Sequence, residues 1–173
     1  MEDLRYPIEQ CPLPEVVSKQ HFSEYGEQSS SAPAALRAAV AGLNEEQLNT
    51  PYRPGGWTVR QVVHHMADSH ANGYVRFRMA LTEDTPTIKP YDKALWAELS
   101  DGKAAPIEPP LELLEALDTR WSLFLDSFAD SDWEQPLRHP EVGVLRLDQY
   151  FRTYAWHCRQ HVAHITRLGE REF

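Results

Sequence analysis

The sequence predicts an all-α protein built as a four-helix bundle, and three observations carry that prediction. Four long segments place apolar side chains at helical spacing, no segment supports a credible sheet, and histidines continue the inner stripe of the last helix. Amphipathic helices with no sheet to cover bury their stripes against one another, and bundles build metal sites from side chains on facing helices.

Length and charge bound the rest. At 173 residues the chain is expected to form one domain, residues 1–173, with a core that needs no staples. Lys and Arg number 17 against 26 Asp and Glu, a formal charge of −9, which repels phosphate backbones and anionic membranes. Nucleic acid is therefore not an expected partner. No basic, apolar leader opens the sequence and no run approaches a membrane span, so the protein reads as cytoplasmic. Cys11 and Cys158 are too few and too far apart to suggest a disulfide in such a setting, and Cys158 reads as a small filler.

In chain order, Pro7, Pro12 and Pro14 forbid a continuous helix, and residues 1–17 are expected to form an extended arm lying on the body. The first helix starts at Ser18, and Pro33 predicts a kink or a junction of two helices between Ser29 and Pro33. Asn44 reads as the cap of one short extra turn. Thr58 stands three residues before Gln61 as a capping box and opens the second long helix, whose stripe holds Val59, Val62, Val63, Met66, His70, Tyr74, Phe77 and Leu81. Its histidines differ in position: His70 at the centre of the stripe, His65 on its flank, His64 further round. Spacing does not choose among them as ligands, and a core His70 satisfied by a hydrogen bond is an equally good reading.

Residues 84–108, with Pro86, Pro90, Pro106 and an Asp101-Gly102 turn, form a long connection around a helical patch from Tyr91 to Leu99. Such a length suits a crossover that returns the chain to its starting end. The third long helix starts near Pro109 or Pro110 and carries Leu113, Leu114, Leu117, Trp121, Phe124, Leu125 and Phe128. Short strands at 137–139 and 144–146 are expected about a turn from Pro140 to Gly143. The last helix then places His157, His161 and His164 at i, i+4, i+7 along the stripe of Tyr150, Tyr154, Ile165 and Leu168. Two imidazoles four residues apart can converge on one ion at ~2.0–2.1 Å, which points to a divalent metal; histidines satisfied by hydrogen bonds are the alternative. Arg53 and Arg159 have the fork that clamps a carboxylate, but both read as solvated surface and neither enters the expected site.

The stretch PYRPGGWTVRQVVHHMADSHANGYVRFRMALTEDTPTIKPYDKALW (51–96), with WHCRQHVAHI (156–165), resembles the YfiT-like branch of the DinB superfamily, described as metal-dependent hydrolases related to bacillithiol transferases. The resemblance covers almost the whole chain. It implies up-down-down-up topology, a homodimer, and one divalent ion per subunit held by His65, His157 and His161. His164 becomes an inner neighbour of that site. Imidazole ligands suit zinc, with nickel as the second choice. Three protein ligands leave the shell open for a small-molecule substrate or water, as in catalytic sites. The expected activity is metal-dependent hydrolysis. Transfer of a low-molecular-weight thiol to an electrophile is the second possibility, and a non-catalytic metal-binding stress protein is the third.

Overall fold

The computed structural model describes residues 4–11 and 19–173, with backbone alone for 19–23. The expected start at Ser18, Pro12, Pro14 and the rest of 12–17 lie outside the described residues. The helices are α1 (Lys19–Ser30), α2 (Ala32–Val40), α3 (Glu45–Leu48), α4 (Val59–Thr82), α5 (Lys93–Ala97), α6 (Ser100–Ala104), α7 (Glu108–Leu125) and α8 (Leu147–Glu172). Pro33 explains the α1/α2 junction: it sits in the first turn of α2, where its missing N–H costs nothing. Both predicted N-caps form, Asn44 with Gln47 and Thr58 with Gln61, each side chain reciprocating a backbone hydrogen bond.

The bundle runs up-down-down-up. Arg60 at the start of α4 donates to the Ala105 carbonyl just before α7, and further along His70 meets Asp118 and Tyr74 meets Phe124, so α4 and α7 are parallel. Along α8 the order reverses, with Tyr150 beside Phe77 and His157 beside His65, while Arg37 of α2 reaches back to Glu108 and Glu115 of α7. Parallel neighbours need a long crossover, which residues 83–107 provide. Asp101-Gly102, expected as a turn, instead lies within α6. A β-carbon on Gly102 would stand 3.2 Å from the Ala97 carbonyl oxygen, so the residue serves close packing of α6 on the end of α5.

A hairpin pairs β1 (Pro136–His139) with β2 (Gly143–Arg146), Leu137 opposite Leu145, as the turn signal predicted. It is laced to the crossover: Ile88 N donates to Arg138 O at 3.0 Å, and Arg138 N to Pro86 O at 2.9 Å. α8 begins without a Ser or Thr cap; Gln149 Oε1 accepts from Arg146 N, and Arg146 pairs with buried Asp148.

Two apolar clusters fill the interior. One centres on Leu36, Val62, Val63, Met66, Leu114 and Ile165, the other on Phe77, Trp121, Phe151 and Tyr154. Rings from α7 and α8 pack directly on the backbone of α4 at Gly73, where an added β-carbon would lie 2.5 Å from Tyr154 Cζ and 2.6 Å from Trp121 Cη2. Trp96 is 40% exposed, whereas Trp133 packs against Phe128 and Phe151.

Candidate metal centre

Three imidazoles meet between α4 and α8. Nε2 of His157 lies 3.1 Å from Nε2 of His65 and 3.1 Å from Nε2 of His161, and one ligand atom from each of the three residues falls within 4.8 Å of the others. An ion bonded to imidazole nitrogens at ~2.0–2.1 Å separates them by roughly 3.3 Å in a tetrahedral shell, so this donor set fits one divalent cation. The arrangement follows from helical phase. His157 and His161 are one turn apart on α8, and His65 faces them from the flank of α4 that packs on α8 rather than on α7.

The chain keeps these rings neutral. Burial drives His65 down to about 3, with the Lys93 ammonium and His70 adding to it. His157 and His161 are held well below the ordinary imidazole value, first by burial and then by neighbouring rings, His65 for His157, and His157 with His65 for His161. Neutral rings hold free lone pairs, the form that binds a cation.

The motif PYRPGGW walls the site. Tyr52 N donates to Trp57 O at 3.0 Å across a tight loop in which Gly55 has φ 68°, a conformation that favours glycine. The loop sets Trp57 against His65 and over His161, and stacks Tyr52 on His164 with ring centroids 4.0 Å apart.

His164 lies beside the three rather than among them. Its Nε2 is 3.0 Å from the Arg5 carbonyl, which can only accept, so that nitrogen carries the proton and Nδ1 is left as an acceptor. Nδ1 of His161 lies 3.4 Å away and is placed to donate to it, which leaves His161 Nε2 its lone pair. The N-terminal arm, docked also through Glu9 O to Trp156 and Arg5 O to Gln160, thus reaches the site through two histidines.

The remaining histidines separate cleanly. His70 bridges α7 and α8 away from the cluster: Nδ1 is 2.7 Å from Asp118 Oδ1 on α7, and Nε2 is 2.9 Å from Cys158 Sγ on α8. Burial opposes its charge, but Cys158 and Asp118 outweigh it and raise the ring to about 10. Asp118 carries the sequence signal for this: a carboxylate inside the apolar stripe between Leu114 and Trp121. His64 stays outside the cluster, with Nε2 lacking a hydrogen-bond partner. His139, outside the expected ligand set, lines the same cleft as His65 and His157 from β1. That cleft has a volume of about 520 Å³ and is bounded also by Ser69, Arg76, Tyr91 and Lys93. Arg53 turns to its own loop, donating to Pro54 O, and Arg159 is exposed elsewhere; neither faces the cleft.

Fold and site together define a helical-bundle protein with three imidazoles converging at the edge of an open cleft. The chain belongs to the DinB superfamily, whose model matches residues 28–165. A relative from Bacillus mycoides (strain KBAB4), named "Putative metal-dependent hydrolase", is 46% identical over 171 residues, 99% of this chain and 98% of the relative. One of the same name from Bacillus thuringiensis subsp. konkukian (strain 97-27) is 47% identical with the same coverage. Among solved structures, YfiT from Bacillus subtilis, described as "a probable metal-dependent hydrolase with an unusual four-helix bundle topology", matches with TM-score 0.95 and 43% identity over 98% of each chain. No described helix is long and apolar enough to cross a membrane.

Proposed function

We propose that the protein is a metal-dependent hydrolase of small molecules, with His65, His157 and His161 holding one divalent ion, zinc before nickel on imidazole preference. The observation that carries this reading is the convergence of three buried or half-buried Nε2 atoms at one edge of an open cleft. Three protein ligands, not four, leave room for a reactant. When bound, such an ion supplies Lewis acidity that turns water, or a small thiol, into a nucleophile near neutral pH.

The chain's own residues supply position and a hydrogen-bond donor. Trp57 shields His65 and His161 on one side, and the cleft admits the substrate on the other. His139 Nδ1 accepts from Glu141 N at 3.2 Å, so its neutral ring carries the N–H on Nε2, a hydrogen-bond donor for a substrate oxygen in the cleft. The reading includes a homodimer, after the family resemblance, and a cytoplasmic location, after the sequence; sedimentation of a strict monomer removes the dimer.

The deciding experiment incubates metal-loaded protein with esters, amides and lactones, alone and with low-molecular-weight thiols plus monobromobimane. Hydrolysis independent of thiol, lost with chelator and in His161→Ala, is the expected result. Conjugation that requires thiol, with the same losses, replaces hydrolase by transferase. Neither reaction with metal still bound replaces both by a binding protein.

A further inference from the structure

We infer that the cleft beside the three histidines receives a small molecule bearing a carboxylate, held between Arg76 and Lys93 while its reactive end lies at the histidines. The reactive-end half rests on the metal-dependent reading above; the anion subsite does not.

Arg76 is only 8% exposed, and a buried guanidinium ordinarily has an acid beside it. Arg60 of the same helix, 3% exposed, has Glu45 at 2.6 Å. Arg76 has only neutral partners: Nη1 donates to the Tyr150 hydroxyl at 2.7 Å, Nη2 donates to the Lys89 carbonyl at 3.0 Å, the guanidinium lies 5.9 Å from the Tyr91 ring centroid, and no described carboxylate pairs with it. These two hydrogen bonds hold the fork in place without neutralising it, leaving its charge for whatever enters the cleft. Lys93, on the crossover wall of the same cleft, likewise forms no ion pair or hydrogen bond among the described residues.

Two acids line the same cleft, Asp92, whose Oδ1 accepts from the amides of Ala94 and Leu95 as it caps α5, and Glu141, exposed on the hairpin rim, and neither is paired with Arg76 or Lys93. What points to an anion is the pairing that is missing: a guanidinium 8% exposed at the cleft wall, held by neutral partners, is placed to take a carboxylate in forked fashion, with Lys93 as a second cation on the same wall. The geometry also sets the ligand's length. His65 and Arg76 are separated along α4 by about 16 Å of helix axis at ~1.5 Å per residue, and the arginine stem leans back toward the helix N-terminus. A chain spanning roughly 10–15 Å joins the two ends on these helical dimensions.

Suberic monohydroxamic acid tests this against its terminal amide: the hydroxamate seeks an ion, and the far end is a carboxylate in one compound and neutral in the other. Calorimetric titration of zinc-loaded wild type is expected to give at least tenfold tighter binding of the acid, a preference reduced severalfold in Lys93→Gln and in Arg76→Gln. Lys93 is exposed, so its variant keeps the test decisive even where Arg76→Gln does not fold. Equal affinities, no binding of the acid, or an undiminished preference in Lys93→Gln overturns the subsite. Repeating the titrations after chelation separates the two readings. Affinities untouched by chelator count against the metal, while the acid-over-amide ratio still judges the anion site.

Discussion

His161 and His164 stand with their Nδ1 atoms 3.4 Å apart, and the far nitrogen of His164 ends on the Arg5 carbonyl. One ligand of the proposed centre is therefore oriented by a residue that does not reach it. His164→Ala is expected to weaken metal binding about 10–100-fold, as loss of an outer partner does, with little change in helicity. Competition against a chromophoric chelator reads the affinity; an unchanged value means that His164 does not position His161.

Removing a ligand acts differently from removing its support. His65→Ala, His157→Ala and His161→Ala should each lose bound metal in emission spectroscopy, whereas His64→Ala and His139→Ala should retain one ion per chain. Full metal content in His157→Ala sinks the assignment.

The three rings also make a prediction for the metal-free protein. A histidine whose folded pKa lies below its unfolded value of 6.5 takes up its proton more readily after unfolding. Its contribution is complete above about pH 6.5 and is lost as pH falls toward 3 for His65, with His157 and His161 shifted in the same direction. Each adds a slope of up to ~1.4 kcal/mol per pH unit. His70 has the opposite sign: raised to about 10, it contributes below pH 6.5 and fades as pH climbs toward 10. Urea denaturation across pH 4–7 should show stability falling steeply with acid, and a flat profile contradicts it.

Gly73→Ala should destabilise the fold by about 1–3 kcal/mol, despite alanine's better helix propensity, because the new methyl group meets the Tyr154 and Trp121 rings. The denaturation midpoint measures the change. A stabilised variant means that the rings move aside without cost.

Much of this structure was legible in the order of residues. The long helices announce themselves by periodicity, the caps at Asn44 and Thr58 by their partners three residues on, and the hairpin by its turn. The choice among His64, His65 and His70 was not, because α4 packs on two helices at once. The centre of its stripe looks at α7, where Asp118 takes His70, and the residue facing α8 lies on the flank. The family resemblance, not the spacing, singled out His65. Arg76 and His139 escaped for another reason: a cleft formed by a crossover and a hairpin is a long-range arrangement with no local period. Asp101-Gly102 misled because the glycine serves contact with Ala97 rather than a turn.

The backbone bonds between Ile88, Arg138 and Pro86 divide the molecule into parts with separate histories open to them. The histidines stand on two long helices, whereas Lys93 and His139 stand on a crossover and a hairpin tied to one another. Substitutions in that laced rim can change which compounds are admitted without moving a ring nitrogen. A descendant of this chain could thus exchange one substrate for another by a few changes at positions such as 93 and 139, keeping the same three imidazoles throughout.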